Sequence, residues 1–78
     1  MRIAVLGGGN GSYAAAADLS DLGNEVRFWR RDAKQFGELA TTRRLMLKDI
    51  AGRREVEIGA VTADLGTALR GVELILIP

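Results

Sequence analysis

The stretch Met1-Arg2-Ile3-Ala4-Val5-Leu6-Gly7-Gly8-Gly9-Asn10-Gly11-Ser12-Tyr13-Ala14 decides the reading of this chain. Arg2 to Leu6 is a short apolar strand, Gly7 to Ser12 a glycine-rich turn, and Ala14 to Ala17 the body of a helix after the turn. Strand, turn and helix in that order are the context a dinucleotide fingerprint requires. Gly7 permits a tight turn and Gly9 lets backbone come close to a pyrophosphate, while a third small residue lets helix pack on strand. The helix N-terminus adds unpaired N–H groups and partial positive charge. The third small residue is Ser12 rather than glycine, and its hydroxyl is expected within reach of a phosphate oxygen.

Composition narrows the rest. At 78 residues the chain is one small domain, and 47% hydrophobic residues suit a globular fold with a core. No apolar run approaches the ~20 residues of a membrane span. A net charge of +1 gives no global case for nucleic acid or an anionic membrane. The absence of cysteine removes disulfides, thiolate metal sites and cysteine nucleophiles, and fits a cytoplasmic setting. No signal peptide is visible, because Met1-Arg2 leads into an apolar run shorter than the ~7–15 residues of a secretory core. Histidine is also absent, and with it the commonest general acid–base group.

Working outward, Ala15, Leu19 and Leu22 recur at helical spacing and predict the buried face of a helix over Gly11–Leu22. Gly23 is placed as its left-handed C-cap. Glu25 to Arg30 reads as a second strand, with Val26 and Phe28 on one face and Arg27 and Trp29 on the other. Asp32, with Gln35 three residues on, predicts a capping box opening a helix over Ala33–Ala40, with Phe36, Leu39 and Ala40 inward. Arg44–Lys48 and Arg54–Ile58 read as an antiparallel hairpin around Asp49–Arg53, a loop of roughly five residues. Gly59–Thr62 is a third parallel strand and Asp64 caps a helix over Leu65–Arg70. Val72–Ile77 is nearly continuous in apolar residues, as a strand covered on both faces would be. The expected architecture is α/β: an incomplete Rossmann-type parallel sheet in the order 3-2-1-4, helices on both faces, and an inserted β-hairpin. A sheet ending at its fourth strand leaves Leu74 to Ile77 uncovered. Further strands of a longer protein, a homo-oligomer or other edge-strand pairing are therefore expected there.

The end of the second strand selects the dinucleotide. An acid about 20 residues past the glycine turn binds the adenosine ribose and repels a 2′-phosphate. Arg30 and Arg31 occupy that place, which favours NADP over NAD, although both also fit a solvated strand end. Arg43-Arg44 and Arg53-Arg54, with Asp49, Glu55 and Glu57 near them, read as solvated hairpin edges rather than a nucleic-acid patch. The expected cofactor contacts are Gly7, Gly9, Asn10, Gly11 and Ser12 at the pyrophosphate and Arg30 and Arg31 at the adenosine ribose. Ile77 and Pro78 are expected where the cofactor crosses the sheet, and Trp29 in the core rather than beside the adenine.

Taken with Leu22-Gly23-Asn24-Glu25-Val26-Arg27-Phe28-Trp29, Val61-Thr62-Ala63-Asp64-Leu65 and Leu74-Ile75-Leu76-Ile77-Pro78, the glycine turn resembles the N-terminal domain of the octopine/nopaline (opine) dehydrogenase family. That family shows G-x-G-N-G-G-H-A in the turn. Gly7, Gly9, Asn10, Gly11 and Ala14 match, whereas Ser12 and Tyr13 depart. The broader superfamily includes glycerol-3-phosphate dehydrogenase and ketopantoate reductase, whose N-termini are similar. The resemblance implies NAD(P)H-dependent reduction of an imine formed between an amino acid and a 2-oxo acid. It also implies catalytic and substrate residues in a C-terminal domain, so the 78 residues alone are expected to bind nucleotide and catalyse nothing. A non-catalytic NAD(P)-sensing domain is the competing class, but such sensors usually carry the strand-two acid that this chain lacks.

Overall fold

The computed structural model describes residues 1–7, 10–50 and 52–78, with side chains at all of these except positions 10, 33 and 49. Four parallel strands form the main sheet: β1 (Arg2–Leu6), β2 (Glu25–Trp29), β5 (Ala60–Thr62) and β6 (Leu74–Leu76). Their order, β5-β2-β1-β6, is the expected 3-2-1-4 arrangement once the hairpin strands are set aside. β3 (Arg44–Asp49) and β4 (Gly52–Glu57) pair antiparallel as a separate ribbon. Their pairing runs on to Asp49↔Gly52, so the connection is tighter than the five-residue loop expected.

Helix α1 (Asn10–Asp21) lies between the two sheets. Ala16 packs with Ile3, Val5, Val26 and Phe28 of the parallel sheet. Its neighbour Ala17 packs with Leu47 and Val56 of the hairpin. Adjacent residues can both be buried only because α1 is covered on two sides, and alanine lets both layers approach closely. The expected face of Ala15, Leu19 and Leu22 is therefore incomplete: Ala15 and Leu19 are partly buried, Leu22 is 77% exposed, and Ser12, Ala16 and Ala17 are the buried residues. Asp21 accepts two bonds from Arg54 of β4 (2.6 and 2.9 Å) and fastens the hairpin to the helix. The C-terminus closes as a Schellman motif, with Asn24 N–H on the Leu19 carbonyl and Gly23 N–H on that of Ser20.

The expected second helix is broken in two. Asp32 does cap a turn, accepting from the Lys34 N–H (3.0 Å), but Ala33–Phe36 is a single 3₁₀ turn. At Gly37 the backbone adopts φ 58°, ψ −130°, outside any helix, and a short α2 (Leu39–Thr42) restarts beyond it. Phe36 and Leu39 are buried as expected, while Ala40 is exposed because the break resets the helical phase. The hairpin arginines meet acids: Arg43 pairs with Glu57 and Arg44 with Glu55.

Helix α3 (Leu65–Leu69) covers the opposite face of the sheet, where Arg27 donates to the Thr67 and Arg70 carbonyls. Only Ala68 of α3 is fully buried; Leu65 is 42% exposed. β6 is shorter than the expected Val72–Ile77, and Leu74, Ile75, Leu76 and Ile77 are exposed, as expected for these residues at the sheet edge.

Asp64 caps α3 with its carboxylate, accepting from the Thr67 hydroxyl (2.7 Å) and the Gly66 N–H (3.1 Å). These bonds, the hydroxyl's first, hold its pKa below the ordinary 3.8. Arg54 holds Asp21 below it in the same way. The unfolded chain thus takes up these protons more readily than the folded one. The stabilisation is complete above the unfolded value and is lost as pH falls through it and then through the lower folded value. Asp64→Asn, which accepts at one oxygen and does not titrate, is expected to lower the melting temperature at neutral pH. It should also flatten the fall of melting temperature between about pH 5 and pH 2. An unchanged acid limb would show that the cap contributes nothing.

Candidate functional site

Parallel strands bring all their C-terminal ends to one edge of the sheet, where doubly wound folds bind ligands. Pairing continues one residue past the strands here: Gly7 N–H donates to the Trp29 carbonyl (3.2 Å) and Arg30 N–H to that of Thr62 (3.3 Å). The glycine turn, the end of β2 and the end of β6 therefore share this edge.

Gly7 is held at φ +156°, a value that side-chain-bearing residues rarely adopt. A Cβ there would sit 2.7 Å from Ser12 Oγ and 3.8 Å from Pro78 Cδ. A Cβ on Gly11 would sit 4.0 Å from Pro78 Cβ. Pro78 thus lies beside the turn, with Ile77 exposed next to it. α1 begins at Asn10, and its first turn carries no acid, so its positive end is not neutralised from within the helix. Gly9 lies outside the described residues. Ser12 is 1% exposed with its hydroxyl against Gly7. Its side chain fills the place of the third small residue and packs against the Gly7 backbone.

The two arginines after β2 differ. Arg31 is exposed. Arg30 continues the alternation of Val26 and Phe28 and turns to the α1 side, where Nη1 donates to Tyr13 Oη at 2.6 Å. Its guanidinium carbon lies 5.3 Å from the Tyr13 ring centroid. Tyr13 Oη donates in turn to the Gln35 carbonyl (3.3 Å), and its ring stands edge-on to Phe28 at 5.1 Å. Tyr13 was legible only as a departure from a family pattern. The signal for its contact was the period-two alternation that carries Arg30 to the inner face. Trp29 points to the other face, half-buried, and Nε1 donates to the Ala63 carbonyl (2.9 Å), tying β2 to the start of the α3 connection.

A glycine turn without room for a side chain, opening a helix at the C-terminal edge of a 3-2-1-4 parallel sheet, defines the first half of a Rossmann-type nucleotide-binding domain. The chain belongs to the family described as the NAD-dependent glycerol-3-phosphate dehydrogenase N-terminus, whose sequence model matches residues 2–78. It is 36% identical over 78 residues to a glycerol-3-phosphate dehydrogenase [NAD(P)+] of Thermoanaerobacter sp. (strain X514), covering 99% of this chain and 23% of that protein. It is 37% identical over 76 residues to a protein of the same description from Geobacillus thermodenitrificans (strain NG80-2), covering 97% of this chain and 22% of the relative. The chain thus spans under a quarter of the length of these relatives. No solved structure matches it significantly.

Proposed function

We propose that these residues are the cofactor-binding portion of an NAD(P)-dependent dehydrogenase acting on a small phosphorylated alcohol of the glycerol 3-phosphate kind. The observation that carries the cofactor half of this reading is Gly7, whose φ and the 2.7 Å separation a Cβ would have from Ser12 Oγ leave no room for a side chain in the turn. The family match over residues 2–78 supports it. The backbones of Gly7, Gly9, Asn10, Gly11 and Ser12, with the α1 N-terminus, hold the pyrophosphate. Ile77 and Pro78 flank the nicotinamide side. The cofactor supplies the hydride, and the role of this chain is to bind and orient it. We place the acid–base group and the substrate pocket elsewhere in the full-length protein, since this chain has no histidine. The exposed Leu74–Ile77 strip fits cover by further strands of that protein or by a second copy.

The exposed Arg31 is the reader of the adenosine ribose in this proposal; its neighbour Asp32 is taken up in capping the next turn, and NADP is favoured. A charge-assisted bond to a 2′-phosphate is worth about 1.5–3 kcal/mol, or about ten- to a hundredfold in affinity. Arg31→Ala in the full-length protein is expected to weaken NADPH by that factor and NADH far less, as read by paired titrations. Equal losses would remove Arg31 from cofactor choice.

The Gly7-x-Gly9-Asn10-Gly11 spacing favours a second reading, an opine dehydrogenase. Substrate assays on the full-length protein separate the two. Reduction of NAD(P)+ by sn-glycerol 3-phosphate supports the first reading. NAD(P)H oxidation that requires an amino acid together with a 2-oxo acid supports the second and overturns the first.

A further inference from the structure

We infer that Tyr13 and Arg30 form a strap that sets the spacing between the two points gripping the cofactor's adenosine half, so that Arg30 is a positioning residue rather than the reader of a 2′-phosphate. This rests on the cofactor reading above. Tyr13 lies in the first turn of α1, the turn that would meet the pyrophosphate. Arg30 lies just past β2, where the adenosine ribose would sit. One side chain from each element meets at 2.6 Å, with the guanidinium 5.3 Å from the tyrosine ring centroid. The tyrosine is itself fixed twice. Phe28 packs edge-on to its ring at 5.1 Å, and the Gln35 carbonyl accepts a hydrogen bond from its hydroxyl at 3.3 Å. The Gln35 contact extends the strap to the 3₁₀ turn after Arg31.

A guanidinium held on a ring and a hydroxyl has its orientation set before any ligand arrives. Such preorganisation adds affinity by removing the cost of ordering the site on binding. The distance between the α1 N-terminus and the end of β2 is common to NADH, NADPH and ADP-ribose, because all three carry the adenosine diphosphate unit. Loosening the strap therefore weakens all three alike, whereas losing a phosphate reader weakens NADPH alone.

The test uses the full-length protein, with Tyr13→Phe, Arg30→Ala, Arg30→Lys and the Tyr13→Phe/Arg30→Ala pair. NADH, NADPH and ADP-ribose are titrated well below each variant's melting temperature. Tyr13→Phe keeps the ring on Phe28 and so isolates the hydroxyl from the packing. It is expected to weaken the three ligands by one common factor of about three to ten, in line with a single hydrogen bond. Arg30→Ala should weaken all three at least as much, and Arg30→Lys should not restore them, because an ammonium lacks the flat face that stacks on the ring. The double variant should bind like Arg30→Ala alone. A loss confined to NADPH in either Arg30 variant overturns the inference by making Arg30 the phosphate reader. Unchanged affinities in Tyr13→Phe and Arg30→Ala overturn it by reducing the strap to a fold contact. Absence of binding by the unsubstituted protein would instead remove the cofactor reading beneath it.

Discussion

Phe28→Ala is expected to leave the chain largely unfolded at room temperature. Phe28 is fully buried and heads the largest fully buried side chains. It joins the layers: its ring meets Tyr13 of α1 edge-on at 5.1 Å, and Phe36 of the turn after β2 at 5.4 Å and 72°. Truncating a buried phenylalanine costs about 3–5 kcal/mol through lost transfer energy and the cavity left behind. Each aromatic pair adds about 0.5–1.5 kcal/mol beyond area. At about 0.05–0.15 kcal/mol per residue, a chain of this length has a total stability of about 4–12 kcal/mol, so one truncation removes much or all of it. Urea denaturation monitored by circular dichroism reads the effect. Phe28→Leu, which keeps most of the volume, should retain a cooperative transition. A Phe28→Ala midpoint close to the parent's would mean that the core is not organised around β2.

Gly7→Ala carries the second large effect, and it falls on the ligand as well as the fold. Two separate penalties meet at this position. The backbone is at φ +156°, and a methyl would sit 2.7 Å from Ser12 Oγ. Strain of this kind costs on the order of 1–3 kcal/mol. Rotation of the Ser12 hydroxyl relieves the overlap, but the strained φ is relieved by moving Gly7 relative to the helix start, which is the surface a pyrophosphate would touch. Dinucleotide affinity is expected to drop about five- to a hundredfold in the full-length protein, a loss equal to the strain converted at 1.4 kcal/mol per tenfold. Adding Ser12→Gly removes the overlap but not the strained φ. It should recover part of the stability and little of the binding. Full recovery of binding would show that steric contact alone, not backbone conformation, defines the site.

Much of this arrangement is legible in the residues, for identifiable reasons. Strands β1 and β2 announce themselves by alternation or apolar runs, and the glycine turn marks the passage from β1 into a helix. The order 3-2-1-4 is then the consequence of right-handed crossovers. Burial on α1 is harder to read, because alanine shows no contrast between a face covered by a sheet and one covered by a hairpin. Leu22, the most apolar residue near the helix end, projects past both layers and is 77% exposed. The break at Gly37 turns on one backbone dihedral, which helical spacing does not reveal. β6 reads as a central strand from its composition, and among the described residues it pairs with β1 alone, through Ile3↔Leu74, Ala4↔Ile75 and Val5↔Leu76. At the site, Gly7, Gly11 and Pro78 converge as their positions suggest. The surroundings of Ser12 and Arg30 are harder to read. Each is drawn inward by a neighbour, Gly7 in one case and Tyr13 in the other, and such partners are set by tertiary packing.

The most direct test of the cofactor reading is a calorimetric titration of the folded full-length protein with NADH and with NADPH, repeated with Gly7→Ala. One saturable site per chain, tighter for NADPH and weakened in the variant for both nucleotides, is the result expected. Heats indistinguishable from dilution for both nucleotides, with the protein folded by circular dichroism, would contradict it.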